Sequence, residues 1–266
     1  MKLKKGVFIA YKKDGTLYYR SSMTFKQKHI SLGSFSTEED AHKCYLEGIE
    51  LISSNDVIES YDEKKRLISF EKWVSIINFR DNNMYFKNPI YLKPKYFLYY
   101  YDKNTCYKFD VDDLFYYSKH KIMKRNGHLF VADYGMQVNI LSRYGIKNYA
   151  VAGKDYIFMN GDSTDFRYKN IKVINRYNGV SVNEINGQPI YIAKIHINGD
   201  YIIGRYTKEE DAAIAYNKAG ELLVNAGIIS SYQENYIENL NSIQYASRHN
   251  LVKISKNILK LISEHK

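Results

Sequence analysis

The sequence predicts an α+β protein made of two small modules, each a three-stranded antiparallel sheet plus one helix, with a separate segment between them and a helix at the C-terminal end. Three observations predict it. At 266 residues the chain exceeds the roughly 100–200 residues of a common domain, so several units are expected. The stretch Gly33–Tyr45, GSFSTEEDAHKCY, recurs as Gly204–Tyr216, GRYTKEEDAAIAY, at a constant separation of 171 residues. Each copy also follows a Gly-Val pair and a turn signal, Asp14-Gly15 or Asn186-Gly187.

Composition limits the function classes. Lys and Arg number 39 against 29 Asp and Glu, a net charge of +10 that favours polyanionic partners such as nucleic acid. The 27 tyrosines, with abundant Ile, Asn and Lys, describe AT-rich codon usage rather than function. Two cysteines, Cys44 and Cys106, build neither a disulfide framework nor a four-cysteine zinc site, which fits a reducing compartment. No apolar run approaches the ~20 residues of a bilayer span, and the N-terminus lacks a secretory pattern, so an intracellular protein without a membrane partner is expected.

The first copy begins at Gly6-Val7. Asp14-Gly15 and Asn186-Gly187 are expected to supply the positive φ of type I′ hairpin turns, with a strand on either side. A third strand ends at Gly33 or Gly204, and Ser36 or Thr207 is expected to cap a helix with acids in its first turn. Alternation in the middle strands puts Ser21, Met23 and Phe25, or Ala193, Ile195 and Ile197, under the helix, whose Ala41 and Tyr45, or Ala212 and Tyr216, cover them. Arg20, Ser22 and Thr24, or Ile192, Lys194 and His196, then line an open face.

The copies differ in charge. From Met1 to Gly33, seven lysines and Arg20 face only Asp14, a local excess of seven; from Arg176 to Tyr206, Arg176, Lys194 and Arg205 face Glu184 and Asp200, an excess of one. Phosphate contacts supply most non-specific binding energy, so copy one carries the stronger footprint for nucleic acid. Ile192, Ile202 and Asp200 on the open face of copy two leave DNA and a protein as equal candidates there.

This pattern resembles the AP2 DNA-binding domain in its plant and phage forms, over Lys4–Ile52 and Tyr177–Val224. The resemblance implies a sheet that enters the major groove of double-stranded DNA and reads bases with strand side chains. Its candidate contacts are Lys4, Lys5, Lys12, Lys13, Arg20, Ser22, Thr24, Lys28 and His29 in copy one, and Lys194, His196 and Arg205 in copy two.

Residues 53–109 read as connecting structure. Trp73, the only tryptophan, is expected in a core, as are Tyr96, Tyr99, Tyr100 and Tyr101 between Pro89 and the following segment.

Residues 110–175 carry a second resemblance. The blocks DVDDLFYYSKHKIMKRNGHLFVADYG, VNILSRYGI and GKDYIFMNGDSTDFRYKNIKVI follow the order of phage HNH endonucleases with a C-terminal AP2 domain, which implies a ββα segment. Asn160, Gly161, Asp162, Asp165, Arg167, Asn170 and Ile171 match that motif. Local roles suffice for most of them: a turn at Gly161, a cap at Asp165, a backbone bond from Asn170. The chemistry implied by the family needs a divalent metal such as Mg²⁺ and a histidine that deprotonates water. Ile157 and Phe158 stand where the family has Asp-His, Asn139 where it has an upstream His, and Phe166 where it has Asn. The segment is therefore read as degenerate, with no catalytic residue and no metal or other cofactor. An active enzyme would have to use Asp162, Asn170, His120 and His128, the two histidines lying on the strands of a hairpin.

Residues 176–228 form the second module. In the C-terminal arm, residues 229–266, Leu251, Ile254, Ile258 and Leu261 are spaced as one stripe along a helix, expected to dock on the protein's own core or to self-associate. The reading is a non-catalytic, sequence-preferring DNA-binding protein of phage or large-DNA-virus type, suited to transcription regulation; a homo-oligomer or a protein partner would use copy two or the C-terminal helix. An active homing-type endonuclease and a structural DNA-packaging or virion protein are the alternatives.

Overall fold

A computed structural model describes residues 3–265 as an α+β chain of two compact units. Unit 1 comprises Met1–Asn139 and Asp162–Asn170; unit 2 comprises Ile140–Gly161 and Ile171–Lys266. Of the cations counted above, Lys2 lies outside the described residues.

Unit 1 opens with the first module: β1 (Val7–Tyr11), β2 (Leu17–Phe25) and β3 (Lys28–Phe35) in an antiparallel sheet of order β1-β2-β3, then helix α1 (Glu38–Ser53). The expected faces are observed at Arg20, Ser21, Met23 and Thr24, but Ser22, expected on the open face, is buried. Met23 is buried and Phe25 packs on the core that contains Ile30, Leu32, Cys44, Tyr45 and Leu51. Two further local expectations are corrected. The first hairpin is not type I′: Asp14 keeps negative φ, and Gly15 alone is left-handed (φ 83°) at the end of a Lys12–Gly15 turn closed by Gly15 N donating to Lys12 O. The loop from Lys12 to Thr16 is too long for the two-residue turn. The helix cap is Thr37, not Ser36, its hydroxyl accepting from Asp40 N at 3.1 Å.

Helix α2 (Phe70–Asn82) closes this core rather than linking domains. Trp73, Val74, Ile76, Ile77 and Phe79 are buried in it, and Trp73 Nε1 donates to Val57 O at 3.2 Å. The Arg80 guanidinium donates to the carbonyls of Leu51, Ser54 and Asp56, satisfying the otherwise open C-terminus of α1.

Two further sheets complete unit 1. β4 (Ile90–Leu92), β5 (Tyr96–Tyr100) and β6 (Cys106–Asp110) form a meander of order β4-β5-β6. Short helix α3 (Leu114–Lys119) follows, and then β7 (Ile122–Arg125), β8 (His128–Asp133) and β9 (Met136–Asn139), again a meander. Tyr99 and Tyr100 are buried with Phe97, Tyr107, Phe109 and Tyr117, the packing role expected of them, whereas Tyr96 and Tyr101 are only half-buried. Of the two histidines expected on the strands of a hairpin, His128 opens β8, whereas His120 caps the C-terminus of α3, two residues before β7 begins.

Unit 2 contains the two-stranded ribbon β10 (Tyr156–Phe158) and β11 (Ile171–Val173), then the second module. That module is β12 (Val180–Ile185), β13 (Gln188–His196), β14 (Asp200–Tyr206) and helix α4 (Glu209–Asn225), in order β12-β13-β14. Here the turn is of the expected kind, with Asn186 at φ 51° and Gly187 at φ 74°. Thr207 is not the cap; Lys208 occupies that position without a side-chain bond. In both modules the third strand runs two residues past the expected glycine, to Phe35 and Tyr206.

The repeat extends to details. Gly6 and Gly179 both have positive φ, and a Cβ on either would lie about 2 Å from the ring of Tyr45 or Tyr216. Ser22 N donates to Gly6 O at 3.0 Å, and Lys194 N to Gly179 O at 2.7 Å. Lys4 N donates to Glu38 Oε1 and Arg176 N to Glu209 Oε1, so an acid of the Glu-Glu pair holds the entering chain in each module. Each third strand carries a β-bulge at the same place, which inserts Leu32 or Ile203 as the extra, buried residue.

The C-terminal arm is two helices, α5 (Ser242–Leu251) and α6 (Lys256–Glu264), rather than one. Ser255 caps α6 by accepting from Ile258 N, and its own N–H donates to Ile203 O on the bulge at 2.7 Å. Ile258 is buried in the core of unit 2 with Ile254 and Leu261 packed around it, whereas Leu251 is 76% exposed and leaves the stripe.

Candidate nucleic-acid interface

In copy one the strand register sets the open face. Phe8 and Ser34 flank Arg20, Ser31 lies opposite Ser22, and His29 lies opposite Thr24. Phe8, Arg20, Thr24, His29, Ser31 and Ser34 are exposed, while Ser22 is 6% exposed and is withdrawn from the face. Lys12 and Lys13 stand exposed on the hairpin at the end of this face. Arg20, Lys12 and Lys13 have no carboxylate partner among the described residues. The other cations are placed differently. Lys4 pairs with Glu39 at 3.1 Å on the helix side, Lys5 O accepts from His42 Nδ1, and Lys28 lies over the Tyr85 ring at 5.5 Å. Lys26 reaches Asn83 Oδ1 and is thereby turned toward α2.

Copy two presents a different surface. Its central row is Ser181, Ile192 and Arg205, with Lys194 opposite Ile202. Ile192 is 7% exposed, Ile202 is exposed and Lys194 half-buried. His196 Nδ1 meets Asp200 Oδ1 at 3.1 Å across the strand end. Ile192 thus stands where copy one has Arg20, Arg205 where it has Ser34, and Ile202 where it has Ser31.

The motif loop Asp162–Asn170 is held by β6 in unit 1. Lys108 N donates to Thr164 O and Phe166 N to Lys108 O, a short parallel bridge along the sheet edge. Asp162 accepts from Thr164 N, Thr164 Oγ1 and Lys108 Nζ, the last at 3.1 Å. The Thr164 bonds, with the Lys108 ammonium behind them, hold its carboxyl down at about 2. Asp165 is fully buried and accepts from Arg167 Nε at 2.8 Å; Asn170 Nδ2 donates to Asp165 O at 2.8 Å. Gly161 takes φ 76°. The local roles expected of Gly161 and Asn170 are therefore observed, whereas Asp165, expected to cap a short helix, instead accepts from Arg167.

The donor set does not fit a divalent metal. An ammonium already sits on Asp162, and Asn170 uses its amide as a donor to carbonyls. His120 donates Nδ1–H to Tyr116 O and turns Nε2 to Asp133 Oδ1 at 3.4 Å, while His128 is exposed at the start of β8. No group of three His, Cys, Asp or Glu side chains able to hold a metal occurs among the described residues. Phe166 is buried against Tyr107 and Phe109, with ring centroids at 5.7 and 5.5 Å, and Phe158 pairs with Ile171 in the β10–β11 ribbon. Burial pushes the thiols of Cys44 and Cys106 up to about 12, so neither supplies a thiolate near neutral pH.

Sequence reasoning passed over Phe8, Ser31 and Ser34, which the β-sheet register brings beside Arg20. It also passed over Lys108, whose pairing with Asp162 spans 54 residues and leaves no local signal. The cations Lys119, Lys121, Lys124 and Arg125 were visible as a basic run in KHKIMKRNGH. No helix among the described residues is long and apolar enough to cross a membrane. Comparison with known proteins yields no matching family model, no matching curated protein and no matching solved structure.

Proposed function

We propose that this chain binds double-stranded DNA with a preference for sequence and without cleaving it, using the open face of β1–β3. The carrying observation is the exposed row Phe8, Arg20 and Ser34 beside Thr24, His29 and Ser31, with Lys12 and Lys13 at its end. An unpaired arginine with hydroxyls and an imidazole around it can address base edges, Arg to the O6 and N7 of guanine and Ser or Thr to several acceptors. The hairpin lysines then suit phosphates on either side, which position the sheet without carrying sequence information. The resemblance to AP2 domains supports the same face. The hydrogen bonding of Asp162 and Asn170, and the ring at Phe166, support a motif loop kept for its fold rather than for hydrolysis.

Selection of bound duplexes from a random pool by the purified protein tests this reading. Enrichment of a common sequence, lost with Arg20→Ala, is expected. Equal retention of all sequences would leave only phosphate binding and reject base reading. Incubating the selected duplexes with Mg²⁺ or Mn²⁺ in the same experiment tests cleavage.

A further inference from the structure

We infer that the β7–β9 meander of unit 1 is a separate site for single-stranded nucleic acid, with the phosphate backbone along β7 and an unstacked base on Tyr134. β7 is an edge strand of its sheet. Lys119, Lys121, Lys124 and Arg125 fall on it or just before it, and no acid occurs from Lys119 to Ala132. Lys121 is neutralised by Glu71, but Lys124 and Arg125 have no carboxylate partner among the described residues. At about 3.3 Å per residue the β7 part of this cationic track spans roughly 13 Å, with Lys119 on the last turn of α3 ahead of it.

The aromatic part lies at the opposite end of the meander from the Lys124–Arg125 tip. Asp133 pairs with Met136, so Tyr134 and Gly135 are the two turn residues, with φ 47° and 79°. Asn-Gly is the inexpensive sequence for that conformation, and the neighbouring turn of the same sheet uses it, at Asn126-Gly127. Tyr134 instead places a large ring on a left-handed backbone at 96% exposure, where it contributes nothing to a core. Phe115, 71% exposed, stands with Lys119 Nζ 4.0 Å from its ring centroid. The β7–β8 register continues to the His120–Asp133 pair, which brings the Lys119 end of the track to the Tyr134 turn.

Cations along an edge with an exposed ring at one end are the two components of single-strand binding, phosphate neutralisation and base stacking. A duplex has its base faces already stacked and offers Tyr134 only sugar and phosphate, so an unpaired strand is the better match. The DNA and RNA forms share this chemistry. The site uses none of the residues of the β1–β3 face and does not depend on that reading.

The test measures binding of labelled oligo-dT and oligo-rU of about 15 nucleotides, and of a mixed-sequence duplex, to the full chain over a series of salt concentrations. Wild type is expected to bind at least one single strand, the two arms telling DNA from RNA. Tyr134→Asn, which keeps the left-handed turn and removes the ring, should weaken that binding roughly tenfold or more, whereas Tyr134→Trp should retain it. Lys124→Ala with Arg125→Ala should lower the slope of log affinity against log salt by about 1.4. Neither change should affect duplex binding that depends on Arg20. The inference is overturned if wild type binds no single strand, if Tyr134→Asn binds as tightly as wild type, if the slope is unchanged, or if the duplex shows the same Tyr134 dependence. Loss of duplex binding by wild type alone would reject the β1–β3 reading and leave this one intact.

Discussion

Replacing Lys12, Lys13 and Arg20 together with alanine should remove more of the salt dependence of duplex binding than replacing Lys194 and Arg205. The first three are exposed and without carboxylate partners at the end and centre of one open face. Each phosphate contact contributes about 0.9 to the slope of log affinity against log salt, so the two hairpin lysines amount to about 1.8, with Arg20 acting on bases. Between 50 and 200 mM salt that slope alone changes affinity roughly 12-fold. In copy two Lys194 is half-buried opposite Ile202, and Arg205 borders Ile192, so at most one contact, about 0.9, is expected from the pair. Fluorescence anisotropy with one duplex at several salt concentrations gives both slopes. Equal losses, or a larger loss from copy two, would refute the argument that hydroxyl-lined and isoleucine-lined faces have parted in function.

Other outcomes follow from single contacts. Gly6→Ala and Gly179→Ala should each cost about 2–4 kcal/mol, since both combine positive φ with a ring at the Cβ position; thermal melts unchanged in either would contradict the shared packing. Asp162 titrates in the folded chain at about 2 instead of 3.8, so its contribution is fully present above pH 4 and lost as pH falls through about 2. With over a third of the side chain exposed, that contribution is about 1 kcal/mol, and Thr164→Val should bring the carboxyl, followed by NMR, back toward 3.8. Phe166→Asn should cost about 3–5 kcal/mol and lower Tm by roughly 10 °C; an unchanged melt would mean that the ring does not support the loop. Supercoiled plasmid carrying a selected site should remain uncut with Mg²⁺ or Mn²⁺, and nicks abolished by Asp162→Ala or Asn170→Ala would reject the non-catalytic reading.

What could be read from the sequence was what the fold requires twice. Gly6 and Gly179 must accommodate a ring, and Glu38 and Glu209 must accept from the entering backbone, so those residues recur at nearly fixed separation. Alternation then located the covered faces of β2 and β13, but it put Ser22 and Ile192 on the open side, where both are in fact buried. It did not reveal the bulge, because an extra Leu32 or Ile203 is ordinary in composition and shows only in the pairing with Ser21 and Ser22, or Ala193 and Lys194. The break in the C-terminal arm was hidden for a similar reason. Leu251, Ile254, Ile258 and Leu261 keep helical spacing, but Ser255 spends its backbone N–H on Ile203 and its hydroxyl on a new cap, which a periodicity count does not register. Helix α2 was passed over as connecting structure because its apolar residues surround Trp73 on most sides, the pattern of a buried helix rather than an amphipathic one.

The motif loop explains why resemblance and chemistry can separate. A catalytic loop must leave its acid open to a metal and its base open to water, whereas a structural loop gains by bonding every polar group to its neighbours. In this chain Asp162 is taken by Thr164 and Lys108, Asp165 by Arg167, and Asn170 by two carbonyls, while Tyr168 N donates to Asp110 and its hydroxyl to Asp113. Phe166 then stacks on Phe109 in the core beneath β6. A polar residue at position 166 would be buried without the solvent a catalytic amide needs, and a metal at Asp162 would have to displace an ammonium that Lys108 holds on the same strand. Asp162, Asp165, Arg167 and Asn170 thus each have a structural bond to make, and Phe166 is spent on packing against Tyr107 and Phe109.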